Sequence, residues 1–232
     1  MSLRPRPQPP TGLTLVALVL ALCFLAGAAG WYLRTDRPPG RDSVDVGFLY
    51  DMIAHHEQAI ELSQIELFAG ENRDAMQFAE EILRFQSYEI GLMDQMLEAW
   101  GHAREEAPTT AMAWMGHATP VAEMPGMASP TELDRLRDAE GTDTDAVFLA
   151  LMADHHAGGV GMAEAAAAEA SDGDVRALAE RIARAQRFEI EELVAAAVRG
   201  GLDRTPDGVE VSLYDPRTAE LTDAGEEHGT SH

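Results

Sequence analysis

One pattern occurs twice in this chain, at an offset of one hundred residues and without a gap. Phe48-Leu49-Tyr50-Asp51-Met52-Ile53-Ala54-His55-His56 returns as Phe148-Leu149-Ala150-Leu151-Met152-Ala153-Asp154-His155-His156. Further along, Ala79-Glu80-x-Ile82-x-Arg84-x-Gln86-x-x-Glu89-Ile90 returns as Ala179-Glu180-x-Ile182-x-Arg184-x-Gln186-x-x-Glu189-Ile190. A duplicated unit has to fold the same way twice, and if each copy carries an apolar face the two copies can hide those faces against one another.

The spacing within each copy is helical. Phe48, Met52, His55, Ala59 and Leu62 share one side of a helix, and Leu49, Ile53, His56 and Ile60 share the adjoining one. This first helix begins after Asp42 or Ser43, with Asp45 in its first turn, and stops near Gly70. Asn72 or Asp74 caps a second helix that turns Phe78, Ile82, Phe85, Gln86, Glu89, Ile90, Met93 and Met96 inward and ends near Gly101. A third helix runs from about Thr144 to Ala170, and Asp172 caps a fourth that ends at Gly200-Gly201. Gly158, Gly159 and Gly161 lie inside the third helix, where each glycine should cost roughly 0.5–1 kcal/mol against alanine. That cost predicts close packing against a neighbouring helix. The expected fold is all-α: two repeated αα-hairpins docked into a four-helix bundle with one long connection.

Other segments frame this domain. Residues 1–10 are a proline-containing basic start, and residues 11–34 are almost wholly apolar up to Trp31-Tyr32-Leu33-Arg34. About 20 apolar residues suffice to cross a bilayer as a helix, so the first reading is an uncleaved transmembrane anchor. The second is a cleaved signal peptide, with Ala26-Gly27-Ala28-Ala29 as the cleavage region. Lipidation of Cys23 is a third, and Leu22 before it suits that poorly. All three readings place the rest of the chain outside the cytoplasm: at the cell membrane on a single N-terminal anchor, or secreted after cleavage. Residues 35–42 form a linker; 43–201 form the helical domain, with repeat one at 43–101, a linker at 102–128, a short helix at 129–141 and repeat two at 142–201; 202–232 form a polar tail. Ser129-Pro130-Thr131-Glu132 is a capping box with proline at the first helical position.

All 17 basic residues are arginine, and against 40 acidic residues the formal charge is −23. Such a chain repels phosphate backbones, which argues against a nucleic-acid partner. Cys23 is the one cysteine, so the helical domain has neither a disulfide nor a thiolate metal site.

The chemistry then falls to histidine, methionine and glutamate. Adjacent histidines on a helix point about 100° apart, so His55-His56 and His155-His156 straddle the inward faces set by Met52 and Met152. In antiparallel hairpins, Gln86 with Glu89 and Gln186 with Glu189 reach the same depth. A buried histidine that donates to a carboxylate keeps its other ring nitrogen free for a metal. The blander reading is that each His-Glu pair is simply a satisfied polar contact between helices. The linker adds Met112, Met115, His117, Met124 and Met127 among Gly, Pro, Ala and Thr, without helical periodicity, so core packing explains these methionines less well than usual. Thioether with imidazole favours Cu(I), and imidazole alone also accepts Cu(II) or Zn.

Met-x-x-His-His in both halves, the Ile-x-x-x-Gln-x-x-Glu-Ile block, and Met-Pro-Gly-Met before Ser-Pro-x-Glu-Leu resemble the family called domain of unknown function 305 (DUF305). The resemblance covers about residues 43–200. It implies a ferritin-like helical bundle outside the cytoplasm, often behind a signal or membrane segment, with copper binding and copper tolerance in some members and no agreed activity. The matching positions are Met52, His55, His56, Gln86 and Glu89, then Met124 and Met127, then Met152, His155, His156, Gln186 and Glu189. Gly159 and Gly161 depart from the family pattern, and repeat two is unusually rich in alanine.

The leading reading is an extracytoplasmic metal-binding protein, most simply for copper, with zinc or iron as other occupants. It would sequester or transfer the ion, its protein partner being unspecified. His55, His56, Glu89, His155, His156, Glu189, Met52, Met152 and the linker residues Met112, Met115, His117, Met124 and Met127 are the candidate metal ligands, supported by Gln86 and Gln186. One alternative is an interaction domain whose His-Glu pairs only set helix register. Another is a metal-dependent oxidoreductase or hydrolase, disfavoured because Glu89 and Glu189 are the only evident inward acids. No residue is assigned a catalytic role.

Overall fold

The computed structural model describes residues 12–33, 38–202, 206–210, 214–215 and 220–221. It divides into two units, Met1–Pro38 and Pro39–His232. The expectations for the basic start and for most of the tail lie outside the described residues.

In the first unit the apolar run forms α1 (Gly12–Leu33), with Leu15, Val16, Leu18, Phe24 and Cys23 exposed. Among the described residues no helix is long and apolar enough to cross a membrane. The transmembrane anchor expected from the sequence is therefore not supported.

The described part of the second unit is mostly α-helical, with short 3-10 turns and two pairs of two-residue strands. Its four long helices are α2 (Val44–Ala69), α3 (Arg73–Ala99), α5 (Thr142–Glu169) and α6 (Gly173–Gly200); the short α4 (Pro130–Arg137) precedes α5. The local chemistry that starts them is visible. Ser43 accepts from the Val46 amide, Asn72 from Asp74 and Ala75, and Asp172 from Asp174 and Val175. The Ser129–Glu132 capping box starts α4, which stops at Arg137, short of the expected Gly141. Gly141 instead precedes α5 with a positive φ of 59°.

Each three-residue connection folds a hairpin, α2 with α3 and α5 with α6. The hairpins meet through their first helices. Asp45 at the start of α2 accepts from the Ser171 and Asp172 amides at 3.3 and 2.7 Å, just beyond the end of α5. Asp145 at the start of α5 accepts from the Glu71 and Asn72 amides at 3.0 Å, just beyond the end of α2. These reciprocal contacts make α2 and α5 antiparallel. Each carboxylate also satisfies amides near the start of the other hairpin's second helix, where negative charge is favoured.

The docking sorts the helices into two kinds. α2 and α5 are buried on nearly every side, whereas α3 and α6 bury a stripe: Ala75, Ala79, Ile82, Gln86, Met93 and Leu97 on α3, with Val175, Ala179, Ile182 and Gln186 among those on α6. Phe85, expected inward, is 54% exposed because its position falls beside that stripe.

The connection between the hairpins is not loose. Thr110–Ala111 (β1) pairs antiparallel with Thr119–Pro120 (β2), and Met112 between them takes a left-handed backbone at φ 61°. Four side chains of α2 hold the segment down. Tyr50 donates to the Ala103 carbonyl at 2.7 Å. Asp51 accepts from the Met112 amide at 2.7 Å and from Trp114 Nε1 at 2.8 Å. His55 donates to the Pro125 carbonyl at 3.2 Å. Gln58 both accepts from the Ala128 amide and donates to its carbonyl.

Of the glycines of α5, Gly159 packs against the neighbouring helix α6 as the sequence predicts, Gly158 answers to this segment instead, and Gly161 to neither. A Cβ on Gly158 would collide with the carbonyl of Pro125, and one on Gly159 with the Gln186 amide; Gly161 faces open space.

Candidate metal centre

His55 and His155 meet where α2 crosses α5. Their rings stack with centroids 3.7 Å apart and planes 34° apart. His56 and His156 turn instead toward their own hairpin partners, where Nε2 lies 2.9 Å from Glu89 Oε2 and 2.8 Å from Glu189 Oε2. Each pair thus divides its labour: one ring reaches across the interface and one reaches the Gln-x-x-Glu turn. All four imidazoles are fully buried.

Every Nε2 faces an oxygen that has no proton to give. For His56 and His156 it is a glutamate; for His55 it is the Pro125 carbonyl, and for His155 the His55 carbonyl at 3.0 Å. Nε2 must therefore be the donor, and in the neutral ring Nδ1 carries the lone pair. The Nδ1 atoms of all four rings are buried without a hydrogen-bond partner. Burial drives the His55 pKa down to about 3 and that of His155 well below its ordinary value, with neighbouring histidines adding to the fall. These two rings stay neutral throughout the physiological range. Burial pushes the Glu189 carboxyl up, but the hydrogen bond and charge of His156 prevail and leave it lower than usual.

Gln86 and Gln186 are buried beside the glutamates, and their amide groups have no partner either. Met52 and Met152 are completely buried. Of the linker residues, Met112 and Met124 are buried and share a core cluster with Met52; Met115 and Met127 pack against it partly buried. Core packing therefore accounts for Met112 and Met124, a role the sequence pattern had made to look secondary. His117 is exposed, its Nδ1 3.2 Å from the Met115 carbonyl.

Sequence reasoning also missed most of the buried acids. Asp45, Asp51, Glu66, Glu132, Asp145 and Asp154 are all buried, while Glu89 and Glu189 keep 16% and 26% of their side chains exposed. A helix-face argument overlooks acids that serve backbone amides. Asp45, Asp51 and Asp145 do so, and Glu132 completes its capping box. The signal for two of them was present in the hundred-residue offset, which also relates Asp45 to Asp145.

As for fit, imidazole nitrogen and thioether sulfur suit copper in either oxidation state. Four unpartnered Nδ1 atoms supply such donors. Among the described residues, however, no three histidine, cysteine or acidic side chains converge as a formed metal site.

The DUF305 family model, a domain of unknown function, matches residues 45–197, and the chain belongs to that family. A crystal structure of a DUF305 protein from Streptomyces coelicolor, described as a candidate secreted protein, is 31% identical, covers 70% of this chain and 96% of its own, and superposes with a TM-score of 0.65. A DUF305 fragment from Deinococcus radiodurans is 29% identical, with coverage of 67% and 96% and a TM-score of 0.58. CopM in its Cu(I)-bound form shares the fold at 24% identity, covering 67% of this chain and 96% of its own, with a TM-score of 0.50. No functionally curated protein matches the chain.

Proposed function

We propose that this DUF305 protein is an extracytoplasmic copper-binding protein, built as a ferritin-like four-helix bundle, that sequesters or passes on the ion without catalysing a reaction. The observation that carries this reading is the state of the four histidines: each Nε2 is tied to a protein oxygen, and each Nδ1 is left buried and unpartnered. A buried polar atom without a partner is costly. Fixing a ring through one nitrogen while leaving the other available is how metal-binding histidines are commonly held. His55, His56, His155 and His156 would hold the ion, and Glu89 and Glu189 would orient the rings of the second histidine in each pair. Met52, Met152 and the linker set Met112, Met115, His117, Met124 and Met127 would add soft donors, and Gln86 and Gln186 would support the glutamates. CopM, with its Cu(I)-bound and Cu(II)-bound forms, and the candidate secreted relative support the choice of ion and compartment.

A second reading has its own observation. The His155–His55 hydrogen bond and ring stack join the hairpins directly, as a register-setting contact would in an interaction domain. Cu(I) titration of the purified full-length chain against a chelator separates the two. Tight binding that is lost in His55→Ala with His156→Ala, and weakened in Met124→Leu with Met127→Leu, supports copper handling. Absence of copper, zinc and iron binding leaves the histidines as structural contacts. An enzymatic role would require metal-dependent turnover that His56→Ala abolishes.

A further inference from the structure

The buried imidazoles raise the question of how an ion reaches them. On one side the linker closes over the crossing of α2 and α5: the Pro125 carbonyl accepts from His55, and Gly126 lies so close to the His155 backbone that a Cβ there would collide with it. On the other side, a groove of about 540 Å³ runs between α3 and α6. Phe85, Tyr88 and Ala185 line it, with Gln86, Gln186, Glu89 and Glu189 deeper in its wall. The two carboxylates stand at a boundary, partly exposed toward the groove while bonded to His56 and His156, which are wholly buried. The two glutamine amides there are buried and unpartnered, so each keeps a carbonyl oxygen free to coordinate a passing cation. Arg84 and Arg181 stand at the groove too, and Arg84 lies over the Phe85 ring at 5.3 Å. Against them stands an overall charge of −23, which draws cations toward the surface.

We infer that the groove between α3 and α6, with Glu89 and Glu189 at its inner end, is the route by which a metal cation reaches the buried histidines. The inference rests on the copper reading and goes beyond it by naming the open side of the site. Filling the groove should slow loading without changing how much ion is bound at equilibrium. Ala185→Phe places at the α6 position the side chain that α3 already carries as Phe85.

The test is stopped-flow transfer of Cu(I) from a chromogenic chelator to the full-length chain, paired with equilibrium stoichiometry. Ala185→Phe is expected to load about tenfold more slowly at unchanged stoichiometry, a step comparable to the rate effects of a restricted or recharged cleft. Phe85→Ala, which widens the groove at an exposed position, is expected to load faster and decides the matter if the filled variant does not fold. Ala122→Phe, at an exposed position on the linker side, should load at the wild-type rate. Wild-type rates in both groove variants, at normal stoichiometry, would overturn the route while leaving copper binding intact. No copper uptake by the wild-type chain would remove the copper reading and the route with it.

Discussion

The hairpins α2/α3 and α5/α6 are copies that have kept one set of residues and exchanged another. Both keep the histidine pair, the Gln-x-x-Glu turn and the aspartate that caps the opposite hairpin. They differ where the connecting segment lies. Asp51 and Gln58 of the first copy hold that segment by hydrogen bonds; at the matching places the second copy has Leu151 and Gly158, one buried and one making room for Pro125. The segment breaks the symmetry of the site as well, since His55 donates to the linker and His155 donates to His55. What the copies share is the chemistry of the centre and the means of docking, and what separates them is which one carries the lid.

The largest test concerns what the copies share. His55 and His155 stay neutral in the fold at pH values where an unfolded histidine takes up a proton. Their contribution to stability is therefore complete above the ordinary histidine pKa of about 6.5 and is lost as pH falls toward about 3. At about 1.4 kcal/mol for each pKa unit, His55 alone gives an upper bound on the order of 5 kcal/mol. Urea unfolding at pH 7.5, 5.5 and 4.5 in a Glu66→Gln background, which removes the buried carboxyl whose titration runs the other way, should show the loss, and His55→Gln should flatten it. A stability that does not change over this range would show that the buried rings are protonated without penalty.

Next come the two positions that hold the lid. Gln58→Ala leaves the buried amide and carbonyl of Ala128 without their partners and should cost about 2–6 kcal/mol, since each orphaned group costs roughly 1–3. Gly158→Ala drives a methyl into the Pro125 carbonyl and should cost about 1–3 kcal/mol as an overpacked contact. Both changes should raise amide hydrogen exchange in residues 124–128 more than in α3 or α6. Equal exchange throughout would mean that the linker is not held where these two side chains hold it.

These comparisons mark where the sequence was readable. Helix positions and caps followed from Ser43, Asn72, Ser129 and Asp172 because those signals are local, and the duplicated pattern was enough to bring each histidine pair to the depth of its Gln-x-x-Glu, though not to tell which histidine faces the glutamate. The lid was not readable, because Asp51 and Gln58 look like exposed helix polars until a distant segment folds onto them. Nor could spacing within a helix show that His55 and His155 stack on each other, since that contact forms only when the copies dock.

The smallest expected effect is the most discriminating. Asp45 and Asp145 cap opposite hairpins in the same way, so removing either charge should cost about 1 kcal/mol, in the range of a lost helix cap. One neighbour spoils the equality. Glu66 is buried against Asp145, whereas the second copy has Ala166 at that place. Burial first, and then the hydrogen bond and charge of Asp145, raise the Glu66 pKa to about 9. The folded protein then holds a proton that the unfolded chain releases near pH 4.5, so this contribution is present below that value and is lost as pH rises toward about 9. Its slope opposes that of the histidines, and Glu66→Gln removes it, making the variant more stable than wild type at pH 8 and little different at pH 4. In wild type at pH 8, Asp145→Asn relieves the strain on Glu66 and should cost less than Asp45→Asn. In the Glu66→Gln background the two should cost the same. A double-mutant cycle by urea unfolding measures the difference, and equal costs in both backgrounds would show that Glu66 and Asp145 are not coupled.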